Sequence, residues 1–182
     1  YATWLAPDAI RASTLVDVVY DGISNVFRVM NPTPEVASPF LATTASAANN
    51  VTGNGATYTV IPDIEVYDDG GEYNAATGVF TATVAGRYQF NATISYTGIS
   101  ALMTDGICEI LGSNRRYFLQ FHAFNTADSG ASGYCLVNGA VDMDAGDTAV
   151  MKLTLSGGVA DTADIFTHAT IARTAFSGHL IR

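Results

Sequence analysis

The stretch Arg87-Tyr88-Gln89-Phe90-Asn91-Ala92-Thr93-Ile94-Ser95-Tyr96 places an apolar or aromatic side chain at every second position, with a charged or polar one between. Alternate residues of a β-strand share one face of the sheet, so this spacing predicts one apolar face and one polar face. No window of useful length shows apolar residues at helical spacing with capping residues. The stretch therefore predicts a long, half-buried β-strand.

The same alternation recurs along the chain, and turn-forming residues such as Gly53-Asn54-Gly55 and Asp69-Gly70-Gly71 separate the runs. Further strands are predicted for residues 56–60, 64–67, 79–84, 106–111, 117–124, 134–141, 148–155 and 176–181. Short strands broken at regular intervals by turns are typical of sandwiches and barrels. We therefore predict an all-β fold.

The first 35 residues differ from the remainder. Apolar runs at residues 15–20 and 26–30 flank an Asp21-Gly22 turn and precede Asn31-Pro32-Thr33-Pro34. This pattern predicts an N-terminal β-hairpin followed by a stiff, Pro-containing linker over residues 1–35, and one main domain over residues 36–182. Because the sequence begins at Tyr1 and not at Met, a trimmed or processed product is expected.

Composition excludes two classes of partner. The net charge is −9, and Arg115-Arg116 is the only locally basic pair in the main domain, so the clustered basic surface that nucleic acid requires is missing. No run of eighteen or more apolar residues indicates membrane insertion. Lys152 is the only lysine, although most sheets protect their exposed edges with lysine. We therefore expect the edges to be buried in an oligomer or covered by loops.

A second pattern joins distant parts of the chain. Asp68 is followed by Tyr73 after four residues, by Phe80 after six more and by Gly86 after five more, and Gly86 opens a Gly-x-Tyr-x-Phe strand. The chain closes on Phe-Ser-Gly. These positions over residues 36–182 together resemble the globular head of the complement C1q family, a jelly-roll sandwich of the wider tumour-necrosis-factor-like type; they are Asp68, Tyr73, Phe80, Gly86, Tyr88, Phe90, Phe176 and Gly178.

The chain departs from the family pattern at two positions. Pro62 stands where the family usually has Phe, and Ala92 stands where an aromatic residue usually follows Phe90. One aromatic cluster of the core is therefore expected to be smaller or to be filled differently. For Gly86 we expect a tight turn with a positive φ, which glycine adopts without steric cost.

The resemblance implies a homotrimeric, non-enzymatic recognition module. Residues 40–67 and Asp142-Met143-Asp144-Ala145-Gly146-Asp147-Thr148-Ala149 are most similar to the C1q-like modules of bacteriophage tail fibres. This similarity implies a virion fibre tip or cap that contacts a host-surface glycan or protein. The alternatives are a secreted C1q-like pattern-recognition or signalling protein and, less favoured, a carbohydrate-active fibre enzyme, whose two carboxylates can be distant in sequence. No hydrolase motif is evident.

Two polar groups are candidate sites. Asp142, Asp144 and Asp147 could supply oxygen ligands to calcium, which some family members bind, but their spacing is not that of an EF-hand and solvated turn residues are the favoured interpretation. The same interpretation applies to Asp68, Asp69 and Glu72. No other cofactor is expected.

Asn114, Arg115 and Arg116 follow a Gly112-Ser113 turn and form a donor-rich group in an acidic protein. Such a group could bind a carboxylated ligand, or it could form ion pairs between subunits, which we favour because arginine is enriched in interfaces. Cys108 and Cys135 lie in predicted strands and are expected to be buried thiols; their spacing does not decide whether they form a disulfide.

Overall fold

The computed structural model describes residues 18–22, 26–29, 38–122, 131–168 and 171–181. These residues contain β-strands and no helix, which confirms the all-β prediction. None of the described segments is a helix of the length and apolarity needed to cross a bilayer. The chain divides into two compact units, Tyr1–Ala37 and Ser38–Arg182, and each is described by itself.

In the first unit, strand β1 (Val18–Asp21) pairs with strand β2 (Val26–Val29) in antiparallel register, with Tyr20 opposite Phe27. This pairing is what the two apolar runs around Asp21-Gly22 predict. The expected linker at residues 31–34 lies outside the described residues.

The strands of the second unit form two antiparallel sheets. In chain order they are β3 (Phe40–Thr43), β4 (Ala48–Thr52), β5 (Thr57–Val60), β6 (Ile64–Asp68), β7 (Tyr73–Asn74), β8 (Val79–Thr81), β9 (Gly86–Ile99), β10 (Asp105–Gly112), β11 (Arg116–His122), β12 (Ala131–Met143), β13 (Thr148–Ser156), β14 (Ala163–Ile165) and β15 (Ala175–Ile181).

The larger sheet is built around β9. One edge of β9 pairs with β12, and the other edge pairs with β15 and, further along, with β14. Beyond β15 the sheet continues through β3 to β6, and beyond β14 it continues to β4. The smaller sheet runs β11, β10, β13, and β13 then pairs with both β5 and β8, the latter leading to β7. This is the predicted jelly-roll sandwich.

Phe40 occupies the centre of the aromatic core. Its ring lies 5.2 Å from Tyr73, 5.0 Å from Phe80 and 5.2 Å from Phe176, centroid to centroid, and all four side chains are buried. Such contacts add roughly 1 kcal/mol per pair to the burial of apolar area. Ala92, where the chain departs from the family pattern, is also fully buried in this core.

The positions that carry the family pattern have structural roles. The Asp68 carboxylate accepts a hydrogen bond from the Tyr73 backbone N–H at 2.7 Å and so fixes the turn before β7. A Cβ on Gly178 would approach Phe90 to 2.5 Å, so only glycine fits between β15 and that ring. The expected positive φ of Gly86 is wrong, because the backbone there is not left-handed. A Cβ at this position would lie 2.5 Å from the terminal methyl carbon Leu180 Cδ1, which would have to move.

Tyr117 joins the two sheets at one side of the sandwich. It lies on β11 of the smaller sheet, and its hydroxyl donates a hydrogen bond to the carbonyl oxygen of Ala140 on β12 of the larger sheet. The ring fills the space over Gly139, where a Cβ would lie 2.5 Å from the nearest ring carbon. An aromatic side chain thus covers part of the free edge of β12, a task that lysine performs in many sheets.

Candidate functional site

The outer face of the larger sheet is the first candidate surface. Its strands have a buried face and an outward face, and the register aligns the outward residues in rows across β12, β9, β15, β3 and β6. We call this surface the neutral face; it comprises Tyr134, Leu136, Asn138, Ala140, Thr93, Asn91, Gln89, Ala175, Ser177, His179, Thr43, Leu41 and Tyr67. None of these residues is an aspartate, glutamate, lysine or arginine.

Large apolar side chains are exposed on the neutral face. Tyr134 is 80% exposed, Leu136 52% and Tyr67 45%. Tyr134 and Leu136 are neighbours on β12, whereas Tyr67 lies four strands away on β6. Adjacent exposed side chains of this size are a feature of surfaces that bind another molecule. Hydroxyl and amide groups of Asn91, Thr93 and their neighbours lie between these apolar side chains, so the surface is polar but uncharged. An interface formed on it would not have to desolvate ions.

Charged residues lie at one end of this face, where the two predicted polar groups meet. The Asp142 carboxylate accepts a hydrogen bond from Arg115 Nη2 at 3.1 Å and forms an ion pair with Arg87 Nε at 3.3 Å. Asn114 Nδ2 donates to the Asp147 carboxylate at 2.6 Å and to the Asp142 carbonyl oxygen at 3.1 Å. The structure therefore joins four of the six predicted polar residues through their side chains, and Asp144 joins the same network through its backbone N–H.

This network does not fit a calcium site. Both oxygens of the Asp142 carboxylate are taken by guanidinium groups, and the Asp147 carboxylate accepts bonds from Asn114 and from the Asp144 backbone N–H at 2.8 Å. Calcium requires six to eight free oxygen ligands. Throughout the described part of the chain, no group of three or more His, Cys, Asp or Glu side chains is arranged to hold a metal ion.

Arg116 lies apart from Arg115, on the outer face of the smaller sheet. Its guanidinium pairs with Glu109, whose side chain is only 8% exposed, and lies 4.9 Å from the centroid of the Phe118 ring. Lys152 is directly opposite Glu109 on β13. The partners of both arginines are therefore in the same chain. The sequence did not indicate that Glu109 is the partner of Arg116, because the alternation along β10 shows only that Glu109 lies on the outer face of the sheet.

The acidic residues of the β6–β7 turn do not share one environment. The interpretation of Glu72 as a solvated turn residue is wrong, because its side chain is buried and its Oε1 accepts bonds from the Thr83 N–H and hydroxyl and from Tyr88. Asp69, three residues earlier, is exposed as expected. The buried carboxylate ties the turn to the segment that leads into β9.

Cys108 on β10 and Cys135 on β12 are free, buried thiols that face each other between the sheets. A hydrogen bond with the Cys108 thiol, together with burial, raises the pKa of Cys135 well above its ordinary value. Burial likewise raises the pKa of Tyr96, which lies beside both thiols. The prediction of buried thiols is confirmed.

A pocket opens between the sheets on the side away from Tyr117. The β3–β4 loop, β5 and the β7–β8 turn surround it, and its volume is about 330 Å³. A second hollow of about 350 Å³ lies over the network around Asp142, between Gly86 and Asn114. The first contains Tyr58 and Asp63, which no motif in the sequence indicated.

Comparisons with known proteins agree with this architecture. The sequence profile described as "C1q domain" matches residues 42–181. Among solved structures, the globular domain of the zebrafish complement 1qA protein is 16% identical, with a TM-score of 0.58, over 80% of this chain and 98% of that one. Murine APRIL is 12% identical, with a TM-score of 0.52, over 79% and 98%. No curated protein matches the sequence.

Proposed function

This chain belongs to the C1q domain family, and from that membership we propose that it is a non-enzymatic, homotrimeric recognition module of a virion fibre that contributes to attachment to a host surface. Three copies pack with their neutral faces turned towards a common axis. Loops at the end of the sandwich remote from the Asp142 network then face outward, in threefold repetition.

The neutral face is the observation that carries the proposal. Tyr134 and Leu136 are exposed on β12, and the face around them is uncharged up to the Arg87–Asp142 pair at its end. The smaller sheet differs, since its outer face carries Glu109, Arg116 and Lys152. Assembly through an uncharged, partly apolar face avoids the desolvation of ions, whereas assembly through the smaller sheet would bury them. A closed ring also buries the face in every copy, which removes the exposed apolar patch.

The similarity of residues 40–67 and 142–149 to bacteriophage tail-fibre modules supports the virion setting. A threefold arrangement also suits attachment, because identical weak sites on one rigid body gain from effective concentration. Modest affinity per site is then sufficient to hold a particle at a surface.

The arrangement of carboxylates supports a non-enzymatic role. Glycoside hydrolysis needs two carboxyl groups that flank the scissile bond, one of them free to donate a proton. Asp63 is the only acid that lines the pocket of 330 Å³, and of the two acids that line the second hollow, Asp142 is paired with two arginines and Asp144 is exposed to solvent. Neither arrangement provides such a pair.

Light scattering tests the assembly. The wild-type chain should have a mass near three times 19.1 kDa. Leu136→Asp places a charge among the exposed apolar side chains of β12 and should give folded monomers, whereas Leu102→Asp, at a position 57% exposed in the β9–β10 loop, should leave the trimer intact. A wild-type monomer at micromolar concentration, or a trimer that tolerates Leu136→Asp, would refute assembly through this face.

Adsorption tests attachment separately. Purified trimer should bind host cells or a glycan array, and Leu136→Asp should bind far more weakly because avidity is lost. An intact trimer that adsorbs to neither would leave a purely structural fibre cap. Neighbouring genes for tail or baseplate proteins are expected for the virion setting, whereas an upstream signal peptide and collagen repeat would favour the secreted C1q-like alternative.

A further inference from the structure

The pocket between the sheets, which we call the lateral pocket, has the composition of a small ligand site. Val60 and Ile165, both buried, form its floor, and four alanines, three on the surrounding loops and one at the start of β4, give it walls of methyl groups. Its volume of about 330 Å³ is at the small end of the range of roughly 300–1,000 Å³ found for ligand sites. It accommodates one ring-sized molecule.

Two hydroxyl groups that line the pocket have no hydrogen-bond partner among the described residues. Thr44 is 7% exposed and its Oγ1 is buried without a partner. The Tyr58 hydroxyl forms no hydrogen bond within the described ranges, although its ring packs against the core. A buried hydroxyl left unpaired costs roughly 1–3 kcal/mol, and the Thr44 Oγ1 lies below the accessible surface, so the half-buried Tyr58 hydroxyl is the group available to a ligand that offers a donor or acceptor.

Asp63 provides a fixed acceptor at the mouth of the pocket. Its carboxylate accepts the backbone N–H of Ala45 at 2.7 Å and that of Ser46 at 3.0 Å. Burial tends to raise the pKa of Asp63, but the bonds from Ser46 and Ala45 outweigh it and lower the pKa below its ordinary value. An ionised carboxylate has room for about four hydrogen bonds, so it can still accept a ligand hydroxyl.

The charge of the lining selects among ligands. Asp63 is the only charged residue that lines the pocket, and no lysine, arginine or histidine is present there. Acidic sugars, phosphates and sulfates would meet uncompensated negative charge. A neutral ring with several hydroxyl groups instead matches the Asp63 carboxylate and the Tyr58 hydroxyl. The methyl-lined floor further favours a ligand that carries a methyl group.

We propose that the lateral pocket binds a neutral sugar unit that bears a methyl group, as in an N-acetylhexosamine or a 6-deoxyhexose. This inference rests on the proposed recognition function and supplies its ligand class. The sugar inserts its methyl group towards Val60 and Ile165, and its hydroxyl groups bind Asp63 and Tyr58. Each subunit carries a complete pocket, so binding of a single sugar does not require the trimer.

Saturation-transfer NMR and calorimetry provide the test. The probes are the methyl glycosides of N-acetylglucosamine, fucose and glucose, together with N-acetylneuraminic acid as an acidic sugar. We expect the first two to bind, with the largest saturation at the acetyl or C6 methyl protons. Glucose should bind more weakly and the acidic sugar should not bind. Absence of binding by both methyl-bearing sugars to folded protein overturns the proposal.

Three variants locate the site. Tyr58→Phe keeps the ring and removes the hydroxyl, and should weaken binding about fivefold, the effect of one ordinary hydrogen bond. Ala76→Trp should fill the mouth and abolish binding, whereas Asp161→Asn, an acid that accepts an N–H from Asn54 in another loop, should leave it unchanged. Sugar binding that survives Ala76→Trp overturns the assignment of the site.

Light scattering on the same samples separates this inference from the proposed function. A trimer that binds cells but no sugar would contradict only the lateral pocket as a sugar site. A monomer that binds sugar would contradict only the assembly.

Discussion

The ring of Tyr117 lies so close over Gly139 that no other residue fits at position 139 without displacing it. A Cβ there would lie 2.5 Å from the ring, and the two residues belong to different sheets. The contact therefore controls how closely the edges of the two sheets approach each other.

Gly139→Ala should lower the free energy of unfolding by about 2 kcal/mol, because a methyl group forced into a filled space moves the ring or the strand. Urea denaturation measures the loss. In a Tyr117→Leu background the same substitution should cost much less, since the ring is then absent. Equal costs in both backgrounds would show that the Tyr117 contact is not the cause.

Arg115 and Arg116 should differ sharply although they are neighbours. Arg116→Met leaves the buried Glu109 carboxylate without its partner and should cost about 2 kcal/mol. Arg115→Met should cost less than about 0.5 kcal/mol, because the pair is exposed and Asp142 retains Arg87. Thermal unfolding of the two variants side by side checks this, and similar losses would contradict the intrachain assignment of Arg116.

Glu72→Ala should destabilise the protein by about 2–3 kcal/mol, because the Thr83 N–H and hydroxyl lose a buried acceptor. Asp69→Ala, on the same turn, removes an exposed carboxylate and should change stability by less than about 0.5 kcal/mol. Urea midpoints of the two variants give the comparison. If Glu72→Ala were as stable as Asp69→Ala, the turn would not depend on the buried carboxylate.

The protein should lose stability in alkali. The pKa values of Cys135, Tyr96 and Tyr73 are raised in the folded state, Cys135 by its bond with Cys108 and by burial, and the tyrosines by burial. In the unfolded chain these groups have pKa values of about 8.5 for Cys and 10 for Tyr. Below those pH values the three groups contribute fully to the free energy of unfolding, and the contribution is lost as the pH rises above them.

Each group then lowers the unfolding free energy by up to about 1.4 kcal/mol per pH unit. Urea unfolding at neutral pH and at about pH 10 measures the change in unfolding free energy. Cys135→Ala should reduce the decline in unfolding free energy that begins near pH 8.5. A stability that is constant or higher in alkali would contradict the burial of these groups.

The long strands could be predicted from the sequence because one face of each is apolar. Thus β9 and β13 were found from alternation alone, and the pattern from Asp68 to Phe90 identified the jelly roll. Strands β3, β4, β7 and β14, each of two to five residues, were not predicted. Phe40, at the centre of the aromatic core, was missed with them.

The candidate surfaces could be predicted only in part. Asn114, Arg115 and Asp142 were singled out for their chemistry, but their mutual bonds depend on how two turns meet across the end of the sandwich. The neutral face depends on the register of five strands, and no single strand reveals it. Tyr58 and Asp63 meet only because a loop, a strand and a turn surround one opening.

The two cysteines provide a natural probe of how often the sandwich opens. Each sheet contributes one thiol, and the pair is sealed in the interior. Any motion that parts the sheets exposes both thiols in the same event, whereas fraying of a loop or dissociation of subunits exposes neither. The rate at which a thiol reagent modifies the folded protein therefore reports breathing of the core, in the wild-type chain and without an introduced label.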